Sequence, residues 1–102
     1  MDKDRIIARL REHEPELRAA GVASLSLFGS VARSDDGPAS DLDIALRLSP
    51  DAGAGGLAYF SRFDSLKRRL ETIVGRPVDV IAEPVRKERL RRNIEQDRAV
   101  AF

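Results

Sequence analysis

Three aspartates occupy positions that ordinary structural chemistry disfavours. Asp41 and Asp43 stand two apart at the start of Leu42–Leu48, where Leu42, Ile44, Leu46 and Leu48 alternate with Asp43, Ala45 and Arg47. Residues two apart in a strand share a face, so both carboxylates are expected on one side of a sheet. Asp79 lies inside Val78-Asp79-Val80-Ile81, a short apolar run that has no structural use for a charge. Strands are depleted in Asp, an unpaired carboxylate among apolar neighbours is costly, and like charges on adjacent strands add to the cost. Arginine partners would relieve it, and of 18 basic residues only Lys3, Lys67 and Lys87 are not Arg. A divalent cation would relieve it too, because Mg2+ takes carboxylate oxygens together with phosphate oxygens and water.

A second element stands upstream of Asp41, with ten residues between them. Gly29-Ser30 closes the run Val22–Phe28 and precedes a short stretch with helical character. Glycine lets a backbone approach a phosphate closely, and Ser30 offers a hydroxyl and an N–H as donors. A Gly-Ser turn alone is usually just a turn. With ten residues between it and an Asp-x-Asp pair, it points to the binding of a metal-bound phosphate.

The elements that must position these groups follow from periodicity. Asp2–Ala20 places Ile6, Leu10, His13 and Leu17 at helical spacing, with Asp2 as cap and Gly21 as terminator, and is expected to be one amphipathic helix. Leu25 and Leu27 alternate with Ser24 and Ser26, which predicts a strand over Val22–Phe28. Arg33–Ser40, with Gly37 and Pro38, reads as a turn, and Leu42–Leu48 is the clearest strand. Ser49–Ala58 carries glycine at 53, 55 and 56 and reads as a mobile loop. A helix capped by Ser61 and ended by Gly75 is expected next, with Phe63, Leu66, Leu70, Ile73 and Val74 as its core stripe. Pro77–Ala82 reads as a strand. Pro84 is expected in the first turn of a helix to about Asp97, and Arg98–Phe102 as a small final strand. The fold class is therefore α/β (α+β): a small mixed sheet flanked by helices, mostly on one face, in one domain over 1–102.

Composition narrows the chemistry further. The 102 residues are 42% hydrophobic and 34% charged, enough apolar material for a modest core. A net charge of +1 supplies no global field for DNA or membrane, and direct DNA binding is not expected. The absence of cysteine removes disulfide scaffolds, zinc ribbons and thiol nucleophiles, and one histidine cannot build a zinc site. No apolar run approaches a membrane span, and the charged N-terminal stretch lacks a signal-like core, so a cytoplasmic protein is expected.

The segment FGSVARSDDGPASDLDIAL resembles the Gly-Ser, ten residues, Asp-x-Asp signature of the minimal nucleotidyltransferases, a branch of the DNA polymerase beta superfamily. The likeness covers nearly the whole chain, with VDVI supplying the third carboxylate at Asp79. It implies a polymerase beta-like fold, ATP as donor and two Mg2+ ions. Carried over residue by residue, Gly29 and Ser30 would hold the triphosphate, with Arg33 supporting the loop or the phosphates. Asp41, Asp43 and Asp79 would be the catalytic and metal-binding residues, Asp79 also the base for the attacking hydroxyl. Ser34 departs from a common glycine, and the loop at Gly53–Gly56 is longer than the plainest pattern.

Standalone members of this family are typically antitoxins of HEPN-domain ribonuclease toxins. The resemblance thus implies transfer of AMP from ATP to a tyrosine of that partner. The alternatives are an antitoxin that acts by contact alone and an aminoglycoside-type small-molecule nucleotidyltransferase, the latter disfavoured because 102 residues leave no acceptor-gripping domain. Other features weigh less. His13 reads as a core or interface histidine, and the basic run Arg86–Arg98 as a solvated face or a surface for an acidic partner or phosphates. Tyr59, Phe60 and Phe63 read mainly as core, with Tyr59 near enough to the glycine loop to reach a base.

Overall fold

The computed structural model describes residues 2–33, 41–50 and 56–102, with the backbone alone for 56–60. Ser34, the departure from the family pattern, and most of the glycine loop lie outside the described residues, as do the side chains of Tyr59 and Phe60.

Helix α1 (Lys3–Glu12) begins where Asp2 accepts a hydrogen bond from the Arg5 N–H at 2.9 Å, and it buries Ile6 and Leu10. The expected single helix to Ala20 breaks at His13, and α2 (Glu14–Ala19) follows. Pro15 explains the break. It has no N–H to return to Arg11, and its ring clashes with the preceding turn, so it starts a helix rather than continuing one.

Strand β1 (Val22–Phe28) leads through Gly29 into the single turn α3 (Gly29–Ala32), and β2 (Leu42–Leu48) pairs antiparallel with β1. Helix α4 (Gly56–Val74) carries the chain across to β3 (Val78–Ala82), which lies parallel to β2, as a parallel neighbour requires. The glycine-rich loop therefore ends earlier than expected, and Ser61 lies inside α4 rather than at its cap. Extending an existing helix adds a hydrogen bond per residue without repeating the nucleation cost, which offsets the roughly 1 kcal/mol penalty of a glycine. Gly75, at φ +70°, ends α4.

Pro84 does not open the last helix. The Glu83–Pro84 peptide is cis, the Glu83 N–H extends the β3 ladder to the Leu46 carbonyl at 2.8 Å, and α5 (Glu88–Asp97) starts four residues after Pro84. Val85 stays in the connecting segment, packed with the apolar face of α5. The chain ends with β4 (Ala99–Val100), antiparallel to β1, so the sheet order is β3-β2-β1-β4.

Alternation sorts the sheet into two faces. Leu25, Leu27, Leu42, Ile44, Leu46 and Val78 form the main core with Ile6, Leu10 and Leu17 from α1 and α2 and Leu66 and Leu70 from α4. The opposite face holds a smaller cluster of Phe28, Ala45 and Ile94, with Ile81, Val85 and Leu90 against it. Helix α5 covers that second face. Asp43 and Asp79, one residue out of phase with the main core, lie on the α5 side. Among the described residues no helix is long and apolar enough to cross a membrane.

Candidate active site

Asp43 and Asp79 are direct register partners on the parallel strands β2 and β3, and Phe28 of β1 is the partner of Asp43 on the other side. Adjacent strands lie about 4.8 Å apart, so the two carboxylates rise from neighbouring positions on one face. Asp41 precedes β2 and is exposed at its rim.

Gly29 touches this pair directly. Its φ of +75° suits glycine, and the hydrogen in place of a side chain faces Asp43. A Cβ there would overlap Asp43 Oδ2 and lie 3.1 Å from Asp43 Cγ. The glycine expected to admit phosphate thus also makes room for the carboxylate. Ser30 follows in the first turn of α3, whose opening N–H groups have no acceptor within the helix.

The electrostatics match that crowding. Burial pushes the Asp43 carboxyl above the usual carboxylate range, and the neighbouring charges of Asp79 and then Asp41 push it the same way. Arg33 opposes them from nearby. Among the described residues no hydrogen bond or ion pair reaches the side chains of Asp41, Asp43 or Asp79, although arginine is abundant.

Three acidic or histidine side chains do not close into a metal-sized group among the described residues. The structure pairs Asp43 with Asp79 and leaves Asp41 at the rim. The donor set still fits Mg2+: hard carboxylate oxygens that repel one another, for a cation that usually takes one or two protein carboxylates and fills its shell with phosphate and water.

Arg33 caps the C-terminal end of α3, and its Nη1 donates to Asp97 Oδ2 of α5 at 2.7 Å. That contact ties the end of α3 to α5. Asp97 was not singled out from the sequence. A signal existed: an acidic residue in the last turn of a helix opposes the helix dipole, and α5 has no basic residue there to balance it. His13, half-buried, shares a 2.8 Å contact with Glu16 on the far side of the sheet from the carboxylates.

The nucleotidyltransferase domain family matches residues 4–101. The chain belongs to that family. A “Putative protein adenylyltransferase” of Methanocaldococcus jannaschii is 32% identical over 90 residues, covering 86% of each chain. A solved structure described as a “putative minimal nucleotidyltransferase” superposes with a TM-score of 0.73 at 30% identity, over 97% of this chain and 95% of the other. A toxin–antitoxin structure with AMP-PNP shares the fold, with a TM-score of 0.64 at 22% identity over 100% of this chain and 73% of the other. The mixed sheet flanked by helices is thus the minimal nucleotidyltransferase fold, and this nucleotidyltransferase is an enzyme by family.

Proposed function

We propose that this nucleotidyltransferase transfers AMP from ATP to a tyrosine hydroxyl of a HEPN-type ribonuclease toxin, in the presence of Mg2+, and acts as that toxin's antitoxin. The observation that carries the reading is the in-register Asp43–Asp79 pair with Gly29 packed against it. Two further supports are the relative named as a protein adenylyltransferase and the fold shared with a toxin–antitoxin that binds AMP-PNP.

In this reading Gly29 and Ser30 hold the triphosphate through backbone N–H groups and the Ser30 hydroxyl. Asp41, Asp43 and Asp79 hold the cations. Mg2+ bound there supplies charge neutralisation of the phosphates and the developing pyrophosphate. The acceptor oxygen forms a bond to the α-phosphorus, the bond from that phosphorus to the β-phosphate oxygen breaks, and pyrophosphate leaves. The acceptor proton passes to a carboxylate oxygen of Asp79. Arg33, tied to Asp97, holds the turn that carries Gly29 and Ser30.

The test is incubation of the chain with ATP, Mg2+ and its partner protein, followed by intact mass measurement. Each transfer adds one AMP to the partner, and Asp41→Asn with Asp43→Asn abolishes it. Neutralisation that persists in the double variant at wild-type level assigns the antitoxin effect to contact alone.

A further inference from the structure

Helix α4 ends beside the strand that carries Asp79, and its last turn holds a carboxylate where a helix favours cations. Glu71 there is half-buried, and its Oε2 accepts a hydrogen bond from the Val78 N–H at 3.1 Å. Val78 is buried at the start of β3, and Asp79 is the next residue. Strand β3 is an edge strand with β2 as its neighbour. The Glu83 N–H, which extends its ladder, turns towards β2. N–H groups an odd number of residues away turn the other way, so the Val78 N–H points out from the sheet. Among the described residues no strand lies there to receive it, and the Glu71 carboxylate does. On the inner side the Pro77 carbonyl accepts from the Leu42 N–H at 3.0 Å, and Leu42 lies between Asp41 and Asp43. The Pro77 carbonyl and the Val78 N–H belong to one peptide plane. That plane is held from both sides, by β2 through its oxygen and by α4 through its hydrogen.

We propose that Glu71 is a positioning residue for nucleotidyl transfer, clamping this peptide plane so that Asp79 stands opposite Asp43. The inference rests on the reading of Asp43 and Asp79 as holders of cations. Like charges on neighbouring strands push the strands apart, and β3 has a ladder on one side only. The Glu71 bond adds a tie at the residue next to Asp79, on the side where the sheet offers none. Its removal leaves a part-buried N–H without its acceptor and frees the start of β3 to shift. The bond needs an acceptor oxygen rather than a charge. Glu71→Gln keeps that oxygen, whereas Glu71→Asp keeps the charge and shortens the reach.

Titration of the full chain with Mn2+, followed by electron paramagnetic resonance, tests it beside AMP-transfer kinetics, amide exchange and a thermal melt. Glu71→Gln keeps Mn2+ affinity and kcat within about twofold of wild type. Glu71→Ala and Glu71→Asp bind Mn2+ about 10-fold more weakly and lose kcat by about 10- to 100-fold, with a smaller change in the KM for ATP. The Val78 and Leu42 amides exchange faster in both. A residue that only stabilises the fold lowers the melting temperature and leaves Mn2+ affinity and kcat of the folded protein unchanged, and that result overturns the proposal. Glu71→Gln as impaired as Glu71→Ala overturns it too, since the charge and not the hydrogen bond then matters. Where Glu71→Ala does not fold, Glu71→Asp against Glu71→Gln decides, and equal behaviour of those two overturns the clamp. Asp79→Asn with Asp43→Asn is the control for the underlying reading. That pair weakens Mn2+ binding with Glu71 intact, and wild-type affinity in it means that the cation site is misplaced and the clamp falls with it.

Discussion

Gly29 and Asp43 are packed so closely that the glycine has no room for a side chain: a Cβ would overlap the Asp43 carboxylate. The phosphate-type turn and the acidic pair, separated by ten residues in the motif, are one interlocked unit in space. Gly29→Ala is therefore expected to fail twice. The positive φ costs about 1–2 kcal/mol, and the overlap displaces Asp43. A misplacement on the ångström scale lowers AMP transfer on the order of 10²-fold. Intact mass kinetics and a melt check it; near-normal transfer would show that the carboxylate position is not critical.

Asp43→Asn separates stability from activity. The folded-state pKa of Asp43 is raised, chiefly by burial and then by Asp79 and Asp41, so the protonated form favours the fold. Any stability from Asp43 is thus present below its unfolded pKa and lost as pH rises through the raised value. At neutral pH the charge works against the fold. In EDTA at pH 7 the variant should melt higher, by a gain of about 0.2–1 kcal/mol as for opposed like charges on a sheet. The gain should shrink as pH falls into the carboxylate range, and transfer activity should vanish at every pH. A lower melting temperature at pH 7 would contradict the electrostatic account.

The Arg33–Asp97 pair couples α3 to α5 across 64 residues of sequence. Arg33 is half-exposed while Asp97 is mostly covered, so the coupling is expected to be modest, about 0.2–1 kcal/mol in a double-mutant cycle with Arg33→Gln and Asp97→Asn. As a positioning contact it should raise the KM for ATP more than it lowers kcat, and Asp97→Glu should restore part of the loss. Equal loss from both variants with no coupling would mean that each acts alone.

Arg98 ties the end of β3 to β1 and α5. It donates to Glu83 Oε2 at 2.6 Å, to the buried Ser26 Oγ at 3.0 Å and to Glu95 Oε1 at 2.8 Å. The Arg98 hydrogen bonds hold the Glu83 carboxyl below its usual range. That stability is present above the unfolded pKa of Glu83 and lost as pH falls through the lowered folded value. Glu83→Gln should destabilise by about 1.5–3 kcal/mol near neutral pH, with a smaller difference from wild type in acid, as denaturant titrations across pH will show. Activity per folded molecule should be retained, because Glu83 lies beyond the carboxylate row.

Much of the site was legible as local pattern. Alternation over Val22–Phe28 and Leu42–Leu48 set both strands at their observed ends and placed Asp43 opposite the apolar face. The Gly-Ser turn followed from residue types. Proline misled twice for different reasons: Pro15 breaks a helix that periodicity carried through it, and Pro84 lies in a connection rather than a first turn. At Pro15 a continuous apolar stripe outweighed a backbone constraint acting on a single residue. At Pro84 proline's preference for a first turn stood in for a helix start that lies at Glu88.

What local pattern could not supply was distance. Side-chain period determines which face a residue takes, because that depends only on the residue's own backbone. It says nothing about which strand lies beside which, so the register that sets Asp43 against Asp79 arises only when α4 returns β3 parallel to β2. The same holds for Arg33 and Asp97. These contacts join groups far apart in the chain, and they form because each sheet face must be covered by helices whose apolar stripes fit it. The sequence names the chemical groups and the faces they take; packing brings them together.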